Sequence, residues 1–401
     1  MTARSHRLAL LQTALVSAAF AMQLVVSNAI NPLLPVYREQ LDLSALVLSL
    51  TFVLYVGALV AVLSLLANPR FARHAPWLLL VSLVVLIASD LFAVHPEPWS
   101  ILASRVLVGV AGGLGTGAAS ALVVGTIGAA GRAITSTGNI AGAVVGTVGA
   151  QLLVSLLGAA APAPVFLGHA AIAAVLAVVL AVVLWVRRRP NARALEHQTG
   201  ALQVGTRQRM PLPARAVPLL LAGGITWAAL SISVVFSATI FAELGQTAVQ
   251  ALGPALLLVA SGALQLASPA LARVAPWLSG MLLLALGAAS VAVAVVWAQP
   301  IAGVVGLVAI GAGAGIAYRA ALVVFTLGAR SSQQGALASV YAAVTYAEAA
   351  VAALGVGRLS DLVGFGPAAV GTFGALAVLA AAALLWAPRL RDTVEPGAAP
   401  A

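Results

Sequence analysis

The sequence contains no cysteine and no lysine, and only 7% of its 401 residues are charged. Without cysteine there are no disulfides, no thiol chemistry and no thiolate-ligated metal. Without lysine, all twenty basic residues are arginine. Arg, Ala, Gly and Pro share GC-rich codons, so this composition points to a GC-rich bacterial genome. The scarcity of charge excludes a soluble globular domain, in which about a quarter of the residues are charged. A Gly-Lys-Ser/Thr motif is also missing. The glycine pairs lie inside apolar runs rather than between a strand and a helix, which excludes a phosphate-binding loop and an ATP-driven machine. His74 and His169 each lack a second ligand at metal spacing, and neither is assigned chemistry. No nucleophile–base pair stands out. Neither an enzyme nor a bound cofactor or metal is expected.

What is present is apolar: 62% of the residues are hydrophobic. In a soluble protein the net charge of +10 would suggest nucleic acid, but here the arginines fall between apolar runs and report membrane topology instead. A bilayer core about 30 Å thick needs roughly 20 apolar residues per helix. Runs that meet this lie near 8–34, 45–66, 75–95, 99–125, 133–158, 164–186, 216–242, 247–270, 276–297, 300–327, 335–357 and 367–387. The first follows Arg4 and Arg7 like a signal peptide. Because it extends well past Ala19-Phe20-Ala21, it reads as a span. The predicted organisation is an N-terminal six-helix bundle (1–186), a basic linker (187–215), a C-terminal six-helix bundle (216–388) and a tail (389–401).

Arginine placement orients the spans. With the N-terminus cytoplasmic, sixteen arginines fall on the inner side, including the seven of the linker. Arg38 and Arg358 fall outside, and Arg105 and Arg319 lie within spans. An even number of spans then places both termini inside.

An internal repeat supports two copies of one unit. Residues 66–78 and 266–278 are identical at nine of thirteen positions, among them Pro69/Pro269, Arg73/Arg273, Pro76/Pro276 and Trp77/Trp277. The same offset of 200 aligns Gly113, Gly115 and Ala121-Leu122-Val123-Val124 with Gly313, Gly315 and 321–324. Both copies of the Pro-Trp segment follow the second helix of their half, so the halves are read as parallel repeats.

Twelve spans in two parallel halves around a basic loop resemble the major facilitator superfamily over essentially the whole chain. The family's loop between helices two and three, Gly-x-Leu-Ala-Asp-Arg-x-Gly-Arg-Arg, is matched in degenerate form by Leu66, Ala67, Asn68, Arg70 and Arg73. Asn68 stands where the family has its acidic residue, and neither copy of the repeat carries one. Arg105 and Gly109 fit an Arg-x-x-x-Gly signature on helix four. Residues 357–364, with Asp361, resemble the usual turn into the last helix. The resemblance implies an all-α membrane protein working by alternating access, with Asn68, Arg70, Arg73, Arg273 and Asp361 as gating-loop residues. It also makes Arg105 a cavity residue coupled to proton movement.

Charge inside a bilayer is expensive, about 2.5–3.5 kcal/mol even on the mildest scales, so such residues are candidate functional groups. They are Asp90, Arg105, Arg319 and Glu348. Glu348 shares a polar stripe with Tyr341 and Thr345 at i, i+4 and i+7. It reads either as a proton carrier facing the cavity or as the partner of Arg319. Asp90 and Arg105 read either as functional groups or as a static bridge. On the first helix Gln12, Gln23, Ser27 and Asn31 fall close to one face, lining the substrate path or bonding between helices. Asn139, Gln265, Tyr318 and Tyr346 carry the same pair of readings. Trp227 and Phe236 either stack on a substrate or pack. Gly109 and Gly113, Gly138, Gly142 and Gly146, and Gly311 and Gly315 form smooth faces for close helix packing.

The expected protein is a monomeric, multi-pass transporter of a bacterial plasma membrane. The first reading is export of a small lipophilic, drug-like or secondary-metabolite compound in exchange for protons, with no nucleic-acid partner. Two alternatives stand beside it: a carrier for an organic anion or nutrient that uses Arg105 or Arg319, and a non-transporting membrane scaffold or sensor.

Overall fold

The computed structural model describes residues 3–66, 71, 74–95, 97–127, 131–188, 212–213, 215–329 and 331–394. Among them every regular element is helical. In chain order the α-helices are α1 (Ala3–Ala29), α2 (Leu34–Leu41), α3 (Ala45–Leu66), α4 (Ala75–Val94), α5 (Pro98–Ile127), α6 (Gly131–Leu157) and α7 (Pro162–Arg188). They continue as α8 (Ala216–Glu243), α9 (Thr247–Val274), α10 (Gly280–Val296), α11 (Pro300–Thr326), α12 (Ser331–Val363) and α13 (Phe365–Ala383). A 3₁₀ turn, Asn31–Leu33, joins α1 to α2. Pro32 has no N–H to offer the helical ladder, so the chain tightens there without leaving the span.

Among the described residues, eleven stretches are long and apolar enough to cross a bilayer, α1 and α2 counting as one from Leu10 to Leu41. Gly280–Val296 is a shorter apolar helix and completes the twelve expected spans. Large apolar side chains face outward, and a number of polar ones lie inside an otherwise apolar core. Val84, Val175, Leu286 and Leu385 are exposed, whereas Gln12, Gln23, Asn31, Asp90, Arg105 and Thr345 are buried. That arrangement suits a lipid surround, where outward apolar side chains are solvated and inward polar ones bond within the protein.

The chain divides into two compact units, Met1–Asp42 with Leu54–Gly205, and Leu43–Val53 with Thr206–Ala401. The sequence reading placed all of α3 in the first bundle; its opening turns belong instead to the second unit. The reason lies at the start of that helix, where the first N–H groups have no acceptor within the helix. The Asp361 carboxylate, near the end of α12, accepts from Ala45 N at 2.7 Å and Leu46 N at 3.1 Å. Ser44 Oγ accepts from Val47 N at 3.3 Å. Gly357, one turn before Asp361, lets α12 close on this end: a Cβ there would lie 2.7 Å from Ser49 Oγ and 2.8 Å from Ala45 O.

Within each unit the same helix crossing recurs. In the first, α5 crosses α3 where a Cβ on Gly109 would clash with Tyr55 O, and one on Gly113 would come within 3.1 Å of Leu59 O. In the second, α11 crosses α9 where Gly311 and Gly315 abut Leu257 O and Ser261 O. Each matched residue is 202 positions from its counterpart, and α3 and α9 begin at residues 45 and 247. The helices therefore repeat at 202, not at the offset of 200 that aligns the Pro-Trp segments. The match of Gly113 with Gly313 at 200 has no counterpart in packing: Gly313 faces Gly280 and Leu284 of α10 instead.

The second Pro-Trp segment closes the end of α9, which contains Pro254 and Pro269 and finishes with Arg273 in its last turn. Beyond α13 the chain folds back as a 3₁₀ turn, Leu390–Thr393. Leu390 N and Arg391 N donate to Leu278 O and Pro276 O at 3.0 and 2.9 Å. This part of the predicted tail is thus docked. In the first copy Asn68, Arg70 and Arg73 lie outside the described residues, as does most of the predicted linker.

Replacing Asp361 by alanine leaves two helix-start N–H groups without their acceptor. A cap of this kind is worth about 1 kcal/mol, so the variant is expected to lower the thermal midpoint of the purified protein. Asp361→Asn, which keeps one acceptor oxygen, is expected to lower it less.

Candidate functional site

Each unit carries one polar cluster in its interior. In the second unit it is built on α12, α8 and α11. Tyr341 and Thr345 are buried on α12. Thr345 Oγ1 donates back to Tyr341 O at 2.9 Å, and the Tyr341 hydroxyl donates to Tyr318 O of α11 at 3.5 Å, so the stripe expected from their spacing is satisfied both within α12 and across helices. Glu348 follows one turn on. Its Oε2 is buried and has no hydrogen-bond partner. The carboxylate rests directly on Gly224 of α8, where even a methyl group would overlap it, and Gly223 makes the same room for the Tyr341 hydroxyl. Two adjacent glycines on α8 are what let α12 carry large polar side chains at this crossing.

An aromatic wall flanks the carboxylate. Trp227 of α8 stacks on Tyr346 of α12, centroids 4.8 Å apart at 20°, and meets Tyr318 of α11 at 5.2 Å. Tyr318 continues to Tyr341 at 5.3 Å, and Tyr341 to Phe325 at 5.4 Å. The Trp227 indole nitrogen is buried without an acceptor. A groove of about 630 Å³ runs along Ala343, Val344, Ala347, Glu348, Val351 and Ala352 of α12, an aliphatic lining with one carboxylate. Phe236 is fully buried and meets Phe365 at 6.3 Å, so it packs within the unit away from this wall.

Arg319 does not pair with Glu348. Its Nη1 donates to Ser268 Oγ of α9 at 2.7 Å. Gln265, one turn before that serine, lies where α11 crosses α9 and accepts from Ser268 Oγ through its backbone oxygen at 2.8 Å.

The first unit gathers its polar groups around the second half of α1. Gln23 Nε2 donates to Ser82 Oγ of α4 at 2.9 Å, and the Gln23 amide fills the space above Gly115 of α5. Arg105 of α5 is buried; its Nη2 donates to Ser27 O at 3.3 Å, and its guanidinium lies 4.9 Å from the centroid of the Tyr55 ring. Asn31 is buried in the 3₁₀ turn below. Of the stripe on α1, the Gln23 side chain bonds to a neighbouring helix, whereas the Ser27 hydroxyl donates to Gln23 O within α1. On the other side Gly142 and Gly146 of α6 sit against Ala21 O and Val25 O of α1. The side chain of Asn139 and the surroundings of Gly138 lie outside what is described.

Asp90 does not bridge to Arg105 either. Its Oδ2 lies 2.7 Å from Nδ1 of His169 on α7, and the other ring nitrogen of His169 lies 2.9 Å from Met22 O of α1. Both side chains are buried. Sequence reasoning set His169 aside because no second ligand lies at metal spacing from it. The signal that could have found it is Asp90 itself, a buried acid that needed a partner other than lipid.

The Trp227 stack generates a direct expectation. Aromatic contacts of this kind are worth about 0.5–1.5 kcal/mol each beyond burial. Trp227→Ala should therefore destabilise the purified protein measurably in thermal unfolding, while Trp227→Phe, which keeps a ring on Tyr346, should recover most of the loss.

Comparison with known proteins agrees with this architecture. Residues 15–353 match the Major Facilitator Superfamily. No curated protein matches the chain by sequence. Among solved structures, the nucleoside transporter NupG aligns with a TM-score of 0.68 at 14% identity, over 93% of this chain and 98% of that one. A bacterial homolog of the human lysosomal transporter Spinster aligns at 0.67 and 14%, over 94% of each chain. The xylose transporter XylE from E. coli aligns at 0.66 and 14%, over 94% of this chain and 96% of that one. At such identities the likeness is one of fold.

Proposed function

The chain belongs to the major facilitator superfamily, and from that premise we propose that it exports a small lipophilic compound across a bacterial plasma membrane in exchange for protons. It is a multi-pass membrane transporter of the alternating-access type; the cargo, the direction and the coupling are our reading. In this reading both termini are cytoplasmic, as the arginine distribution favours.

The observation that carries it is Glu348. A carboxylate oxygen buried without a partner, on an aliphatic groove and beside an aromatic wall, is held ready for a ligand rather than neutralised by the fold. Charged groups persist inside a bilayer where they serve an ion path. A proton on Glu348 makes the groove uniformly apolar; its release leaves a negative charge facing the same surface. Cargo and proton thus compete for one face of α12, which is the physical requirement for exchange. Aliphatic lining with few hydrogen-bonding groups favours a lipophilic cargo over a sugar-like one, which would need many donors and acceptors.

Flux in proteoliposomes tests the proposal. Wild-type protein should move a lipophilic probe when a proton gradient is imposed. Glu348→Gln should reduce gradient-driven flux to the level of empty vesicles while leaving substrate counterflow intact, because only the proton step is removed. Full gradient-driven transport by Glu348→Gln would eliminate the carrier role. Competition by simple dicarboxylates, with activity lost in Arg319→Gln, would instead support an organic-anion carrier, and no substrate-dependent flux at all would support a scaffold.

A further inference from the structure

The first unit holds a second titratable couple, His169 with Asp90, that the Glu348 reading does not use. His169 Nδ1 lies 2.7 Å from Asp90 Oδ2, and Nε2 lies 2.9 Å from Met22 O. The other Asp90 oxygen is buried without a partner. Counting hydrogens fixes what this geometry requires. A carbonyl oxygen only accepts, so Nε2 must carry a proton. In a neutral imidazole Nδ1 is then bare. A bare nitrogen facing an ionised carboxylate at that distance would set lone pair against lone pair. The short contact therefore needs one more proton between Nδ1 and Oδ2, whether it resides on the imidazole or on the carboxyl. Either placement leaves the couple electrically neutral, as a buried site requires.

The surroundings supply no substitute for that proton. The elements packed against α7 are α4, α1, α6 and the turn Gly158–Ala160. Asp90 is the only titratable residue of α4; α1 has Arg4, His6 and Arg7 near its start; α6 has Arg132 near its start; the turn has none. On α7 itself the other charges, Arg187 and Arg188, are at the far end. Two further groups approach α4 from elements beyond these. Tyr37 of α2 donates to Ala93 O at 3.1 Å, and Arg105 of α5 is engaged with Ser27 O and the Tyr55 ring.

We propose that His169 and Asp90 form a proton-binding site whose single shared proton lets the imidazole hold α7 to α4 and to α1 at once. With the proton bound, both contacts of the imidazole are made. When it leaves, the one proton left on the imidazole can serve only one acceptor; on Nδ1 it keeps the charge-assisted bond to the Asp90 carboxylate and the contact to Met22 O is lost, so α7 stays on α4 but is released from α1. The stretch of α1 that includes Met22 also carries Gln23 and receives Arg105 at Ser27, so loading this site bears directly on the packing of the polar half of α1. Its use in transport rests on the transporter reading above; the site itself does not.

The experiment is a protonation titration in lipid nanodiscs. The chain has five histidines, and a variant with His6, His74, His95 and His197 replaced by glutamine leaves His169 as the only imidazole. Nitrogen-15 spectra of that ring and the infrared band of a protonated carboxyl would be followed from about pH 5 to 8, the range in which histidine changes charge. The expected result is one proton lost in one step, with the ring and the carboxyl changing together as a coupled pair. In Asp90→Asn the ring should titrate without that step. A ring and a carboxyl that both keep one protonation state over the whole range would overturn the proposal. Wild-type and His169→Gln protein in proteoliposomes provide the second readout. Glutamine keeps an amide donor there but cannot titrate, so the pH profile of flux should lose one inflection; an unchanged profile also overturns the proposal. Absence of any flux would refute the transporter reading and leave the spectroscopic result standing.

Discussion

A bilayer offers a polar group nothing to bond to, and that single constraint organises this molecule. Each backbone N–H and C=O must be satisfied inside a helix, and each inward polar side chain must find a protein partner. Helices can then share partners only if their backbones come close, which is where the glycines act. Gly109 and Gly113 bring α5 onto the carbonyls of α3, and Gly311 and Gly315 do the same for α11 on α9. With the helices that near, a guanidinium reaches a backbone oxygen at Ser27, an amide reaches Ser82, and an imidazole spans from Asp90 to Met22. Packing and polarity are one problem here, solved by the same residues.

The two units solve it with small residues on opposite partners. In the first, the glycines lie on α6, and the backbone of α1 fits against them. In the second, they lie on α8, and the side chains of α12 fit against them. The first arrangement brings two smooth helices together. The second makes room for a tyrosine and a carboxylate, and it is in this unit that a buried acid is left without a partner. A shared architecture therefore yields one unit whose buried acid is paired with a histidine and one whose acid keeps a buried oxygen without a partner.

Much of this was legible in the sequence, and the parts that were not share a cause. Apolar runs gave the spans closely, 45–66 being α3 to the residue, because length and hydropathy are local properties. The basic and proline-rich loops marked where spans end. The internal repeat was visible in its Pro-Trp segments, since those residue types are scarce. Inside the helices its register was misjudged by two positions: runs of Gly, Ala, Leu and Val match one another at many offsets, and only the crossings at Tyr55 and Leu257 single out the right one. The intramembrane charges were found by their cost in lipid, but not their partners. Asp90 and His169 are separated by 79 positions, and the preference of Arg319 for Ser268 over Glu348 depends on which helix faces are in contact. Pairing across helices is decided by rotation and depth, which composition does not encode.

The docked segment after α13 has a mechanical consequence. By donating to the carbonyls of Pro276 and Leu278 and packing on α9 and α11, residues 390–393 tie the chain beyond α13 to two other helices and to the segment that follows α9. Helices far apart in the chain thereby meet at one short turn, so removing residues 390–393 would take a contact from each of them at once.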